Sequence, residues 1–137
     1  MPLMVGLLLA LAVGVFATVV GLDRDRAFYP TVTIVVASLY ALFAVMGSST
    51  DALVLECLAG AVFLAGAVLG FRSSLWIVAV ALASHGLFDF VHASIISNPG
   101  VPGWWPQFCG AYDVAAGAFL AWQLKRGRIP ATAAWRA

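Results

Sequence analysis

The sequence predicts an all-α integral membrane protein, a single bundle of five transmembrane helices with its N-terminus outside and its C-terminus in the cytoplasm. Three observations predict it. Of 137 residues, 64% are hydrophobic and only 9% are charged, where a soluble domain carries about 25% charged residues. The apolar residues collect into five runs, at about residues 2–22, 28–47, 51–70, 74–96 and 107–124, each long enough to cross a hydrocarbon core about 30 Å thick. The basic residues fall at connections that share one side of such a bundle.

Taken in order, the first run lacks a basic leading segment, and its apolar stretch is longer than that of a usual signal peptide, so it reads as a span. The second follows "DRDRA", a charged turn expected to be solvated, and the third follows "SST", with Asp51 placed to cap it. The fourth follows "FRSS", and the fifth comes after the longer loop "SNPGVPGWWPQ". Short connections make consecutive helices antiparallel neighbours in one domain covering residues 1–137. There is no internal repeat of the kind that builds inverted-repeat transporters. Gly66 and Gly70 form a GxxxG, and "GAVFLAG" and "AAGA" add small residues that let helices approach closely, within the bundle or between copies in a homo-oligomer. Trp76, Trp104 and Trp105 suit the aromatic belts at the membrane interfaces.

Arg24 and Arg26 lie between the first and second spans, Arg72 between the third and fourth, and Lys125, Arg126, Arg128 and Arg136 after the fifth. All seven share one side, which the positive-inside rule makes cytoplasmic. The localisation expected is a bacterial inner membrane, with lipids as the surrounding partner. A net charge of +1 argues against nucleic acid. Cys57 and Cys109 form no CxxC motif and imply no disulfide framework.

The chemistry concentrates in "HGLFDFVH", residues 85–92, which holds both histidines of the chain. His85, Asp89 and His92 are spaced i, i+4 and i+7 and make one polar stripe on a helix. Ionisable groups in hydrocarbon cost several kcal/mol, so the stripe should face the bundle interior. Ser84 lies off it. At about 1.5 Å per residue, Glu56 on the third span, Asp89 and His92 on the fourth and Asp113 on the fifth all fall roughly 6–11 Å below the outer boundary, with His85 deeper. Tyr40, Cys109 and Tyr112 lie near the same level.

Three carboxylates and two imidazoles in a low dielectric need protons or a cation to neutralise them. Histidine and carboxylate ligands suit zinc, iron or manganese. Asp89-x-x-His92 resembles the Glu-x-x-His element of helical carboxylate dimetal sites; one such element occurs here, so a mononuclear site is simpler. The expected ligands of a divalent metal are Glu56, His85, Asp89 and His92, with Asp113 as a general base. Tyr40, Cys109, Tyr112, Trp104 and Trp105 would line the site, and Cys109, four residues before Asp113, could also be a ligand. The loop above it reads equally as a lid or as a plain interfacial turn. Two other readings stay open: a proton-coupled carrier, although only Gln123 breaks the apolar inner halves of the last three spans, and an accessory subunit whose cluster is an internal hydrogen-bond network.

In "HGLFDFVH" followed by "NPGVPGWWPQFCGAYDV", the chain resembles a family of small bacterial multi-helix membrane proteins of unknown function, over roughly its C-terminal half. That resemblance implies a site at these residues and no particular chemistry. More loosely, it is similar to membrane hydrolases of the alkaline ceramidase type, which hold zinc with histidines inside a helical bundle; those have more spans and a third histidine, which this chain lacks. The function expected is a membrane-embedded metalloprotein, with a metalloenzyme acting on a lipid or small apolar substrate as the further reading.

Overall fold

The computed structural model describes residues 1–132, which fold into five antiparallel α-helices: α1 (Pro2–Val20), α2 (Phe28–Met46), α3 (Thr50–Arg72), α4 (Leu75–Ile95) and α5 (Trp105–Lys125). The apolar runs therefore become helices within about two residues of their expected bounds. Four of them, α1 to α4, are long and apolar enough to cross a membrane. Helix α5 has the length but is less apolar, because Pro106, Gln107, Asp113 and Gln123 interrupt it. It is also enclosed: it packs along both α1 and α4, and Leu120 and Gln123 are fully buried. A helix sheltered by its neighbours can keep polar residues that a lipid-facing one cannot. By contrast, α1 and α3 turn most of their apolar side chains outward, among them Leu8, Phe16, Leu58 and Val62.

The helix starts correct one expectation. Asp51 does not cap α3: Ser49 does, its hydroxyl accepting the Ala52 N–H at 3.2 Å, while Asp51 sits exposed in the first turn. Ser74 caps α4 in the same way, through the Trp76 N–H. α1 ends at Gly21, whose φ of 87° is the left-handed conformation glycine adopts without steric cost.

The "DRDR" turn is not simply solvated. Arg24 and Asp25 are exposed, but Asp23 is 3% exposed. Its Oδ2 accepts the Thr18 hydroxyl at 2.8 Å and lies 3.5 Å from Gln123 Nε2, which also donates to Thr18 Oγ1 at 2.9 Å. Arg26 reaches across this end of the bundle. Its guanidinium donates to Pro130 O at 2.6 Å and to Phe71 O at 3.1 Å. The segment after α5 is thereby folded back under α3 and α4, where the Leu75 N–H also donates to Ala131 O at 2.8 Å. Six of the seven basic residues belong to this end; Arg136 lies outside the described residues.

Glycines set the close helix contacts. Gly66 and Gly70 face α4, where a Cβ on Gly70 would come within 2.9 Å of Val78 N. Gly117 packs on the backbone of Ala79 and Ala83. The tightest crossing that matters for the site is Gly86 on Gly110: a Cβ on Gly86 would lie 2.6 Å from Gly110 O, and one on Gly110 would lie 2.8 Å from Gly86 O. α4 and α5 can touch backbone to backbone there only because both residues lack side chains.

Candidate metal centre

The Gly86–Gly110 crossing carries His85 and Asp89 of α4 against Cys109 and Asp113 of α5. One ligand atom from each of these four residues lies within 4.8 Å of the others, and all four side chains are buried. His85 Nδ1 is 2.6 Å from Asp113 Oδ2 and 3.8 Å from Asp89 Oδ1. The Cys109 thiol lies 3.6 Å from Asp113 Oδ2.

Asp89 is the unusual member. It is 1% exposed, and neither carboxylate oxygen accepts a hydrogen bond of normal geometry, although the Tyr40 hydroxyl and the Cys109 thiol lie beside it. Asp113 Oδ1 and the Tyr40 hydroxyl are also buried without a well-formed partner. Buried polar atoms are almost always satisfied, and an exception points to a water, a proton or an ion.

The remaining expected ligands form a second pair. His92 Nε2 lies 2.8 Å from Glu56 Oε1, with both side chains buried. The same Glu56 oxygen accepts the Asn98 side-chain amide at 2.8 Å, and that amide also donates to Tyr40 O at 3.0 Å. Tyr40 stands between the two groups: its ring centroid is 4.2 Å from that of His92 and 6.1 Å from that of His85. Phe63 and Phe88 close the apolar side, edge-on to His85 and His92 respectively.

Of the residues singled out from the sequence, His85, Asp89, Asp113 and Cys109 thus meet in one group, and Glu56 and His92 meet in an adjoining pair. Tyr40 touches both. Tyr112 is half-buried and faces α1 and α2. Trp104 is exposed and packs edge-on to Trp105 and Phe108, and Trp105 packs edge-on to Phe43. Asn98 is the residue that sequence reasoning missed. Its signal was the Asn-Pro step opening the loop, where a short amide can fold back on nearby backbone. The loop is stapled rather than free: Gly100 lies against Phe43 O and Gly47, so closely that a side chain could not fit.

No family model, curated protein or solved structure matches this chain. The donors themselves define the chemistry of the centre. Two carboxylates, one imidazole and one thiol in a water-poor interior carry a charge that protons or a cation must offset.

Proposed function

We propose that the protein is an integral membrane metalloprotein in which His85, Asp89, Cys109 and Asp113 hold one divalent cation. The observation that supports this best is Asp89, whose two oxygens are buried, aimed into a group of three other ligand-type side chains and left without regular hydrogen bonds. A tetrahedral site with bonds of about 2.0–2.3 Å sets its ligand atoms roughly 3.3–3.7 Å apart. The His85–Asp113 pair at 2.6 Å would open slightly and the wider pairs, up to 4.8 Å, would close. Such shifts are within the reach of side-chain torsions.

One thiolate and one imidazole beside two carboxylates favour zinc or ferrous iron, with manganese a weaker match and magnesium or calcium poor ones. A bound cation would supply Lewis acidity near the bilayer interface. Glu56, held by His92 and Asn98 across the Tyr40 ring, is the carboxylate left beside such a centre to move a proton. This arrangement suits a metalloenzyme acting on a lipid or another apolar substrate.

In this reading all five helices cross the bilayer, α5 in the shelter of α1 and α4. The end carrying Arg24, Arg26, Arg72, Lys125, Arg126 and Arg128 faces the cytoplasm of a bacterial cell, and the 96–104 loop faces outward. One observation favours a second reading, an internal hydrogen-bond network without metal: each histidine already pairs with a carboxylate, at 2.6 and 2.8 Å.

Metal analysis of tag-free protein, purified in detergent without chelators, separates the two. The metal reading expects about one zinc or iron per chain, lost in Asp89→Asn and in His85→Ala. Wild-type protein that holds no metal, and gains none on incubation with zinc or ferrous iron, would leave the network reading.

A further inference from the structure

A groove of about 480 Å³ opens between α1 and α2. It exists because α1 packs on α5 while α2 packs on α3 and α4, so little holds α1 to α2 directly. Its walls are mostly apolar, with Leu9 and Val13 from α1 and Val32 and Val36 from α2; Asp25 and Thr31 add polar groups near the start of α2, and α5 forms the floor. Its size falls within the roughly 300–1,000 Å³ of small-molecule sites. Both wall helices are long and apolar enough to cross a membrane, so the medium that meets the groove is hydrocarbon.

The floor is not uniformly apolar. Trp105 and Cys109 both line the groove. They are one helical turn apart, about 6 Å along α5. The Trp105 indole N–H is buried and has no acceptor among the described residues. Cys109 is 2% exposed, and its sulfur also belongs to the candidate metal centre, 3.6 Å from Asp113 Oδ2. The groove is thus continuous, through one side chain, with the group of buried ligands.

We propose that this groove binds one acyl chain of a membrane glycerophospholipid, the Trp105 ring turning toward the groove so that its otherwise buried indole N–H donates to the ester carbonyl. The chain lies along Val32, Val36, Leu9 and Val13, and the ester rests one helical turn from Cys109. The binding stands on the groove alone. Its consequence, that an acyl ester is the substrate presented to the centre, rests on the metal reading above.

The test uses the whole protein in nanodiscs doped with a phosphatidylcholine that carries a diazirine on one acyl chain. Photolabelling should saturate near one lipid per chain and map to Leu9, Val13 and Val36. Val13→Trp, which fills the groove, should cut it about tenfold. The matching ether lipid, which lacks the carbonyl, should label about three- to tenfold less, the worth of one hydrogen bond. Trp105→Phe should remove that ester–ether difference. Excess free palmitate should not displace the label; displacement by it would overturn the phospholipid assignment.

Unsaturable labelling spread over the outward faces of α1 and α3, at residues such as Leu8 and Val62, would overturn the proposal. If Val13→Trp does not fold, equal labelling of wild type by the ester and ether lipids would overturn it independently. Metal content measured on the same samples keeps the two ideas apart. Groove labelling without metal would sink the metal reading and leave the lipid site, while metal without groove labelling would do the reverse.

Discussion

Gly86→Ala tests whether the α4–α5 contact builds the centre. The new methyl carbon would lie 2.6 Å from Gly110 O, 2.9 Å from Val114 N and 3.0 Å from Asp113 Cβ. Two of these are backbone atoms of a packed helix and cannot rotate away. Reaching an ordinary contact of about 3.4 Å requires the helices to part by roughly 0.8 Å. Overpacking of this kind costs about 1–3 kcal/mol. Alanine returns about 1 kcal/mol of helix propensity relative to glycine. The net loss of stability is therefore about 0–2 kcal/mol, and the variant should fold. The site should suffer more, because its widest ligand pairs already have to close by about 1 Å around a cation, and parted helices would add to that distance. His85 and Asp89 ride on one helix, Cys109 and Asp113 on the other. Zinc affinity, measured by titration against a fluorescent chelator, should fall at least tenfold, while thermal unfolding shifts by a few degrees. Gly103→Ala is the control, since nothing lies within 4 Å of a Cβ there. Wild-type zinc affinity in Gly86→Ala would refute the claim that this crossing sets the ligand geometry.

Other outcomes follow from the same structure. Arg26→Ala removes the donor to Pro130 O and Phe71 O, so trypsin should cut after Lys125 and Arg128 several-fold faster than in wild type; unchanged cleavage would mean that the clasp does not hold this segment. Asn98→Ala strips Glu56 of one of its two partners and removes a donor from Tyr40 O, and should lower stability by about 1–3 kcal/mol in thermal unfolding; an unshifted midpoint would show that the loop staple carries no weight. For orientation, single cysteines placed at Ser97 and at Ser73 in a background lacking Cys57 should react with a membrane-impermeant maleimide from outside the cell and only after lysis, respectively. The opposite pattern would invert the proposed topology.

The helices were legible because hydrocarbon-length apolar runs admit few other structures in a membrane. Their polar ends were less so. Asp23 looked solvated because it sits in a charged turn, but the left-handed Gly21 folds the chain back so that Asp23 lies under Thr18 and Gln123. Depth along a span can be counted at a fixed rise per residue, and that count put Glu56, Asp89, His92 and Asp113 at one level. Rotation of each helix about its own axis cannot be counted in this way. Which carboxylate meets which histidine depends on contacts such as Gly86 on Gly110, whose importance shows only once both backbones are placed. Cys109 joins the group for that reason, and His92 turns instead to Glu56. Asn98 is not legible in the sequence because a loop amide joins the network only through the loop's path over α2, which carries it to Tyr40 O and Glu56.

X-ray absorption at the zinc edge of the zinc-loaded protein tests the central claim most directly. The account predicts a first shell of one sulfur at about 2.3 Å and about three nitrogen or oxygen atoms near 2.0 Å, with the sulfur lost in Cys109→Ser. A shell of oxygen and nitrogen alone in the wild type, or a sulfur that survives Cys109→Ser, would contradict it.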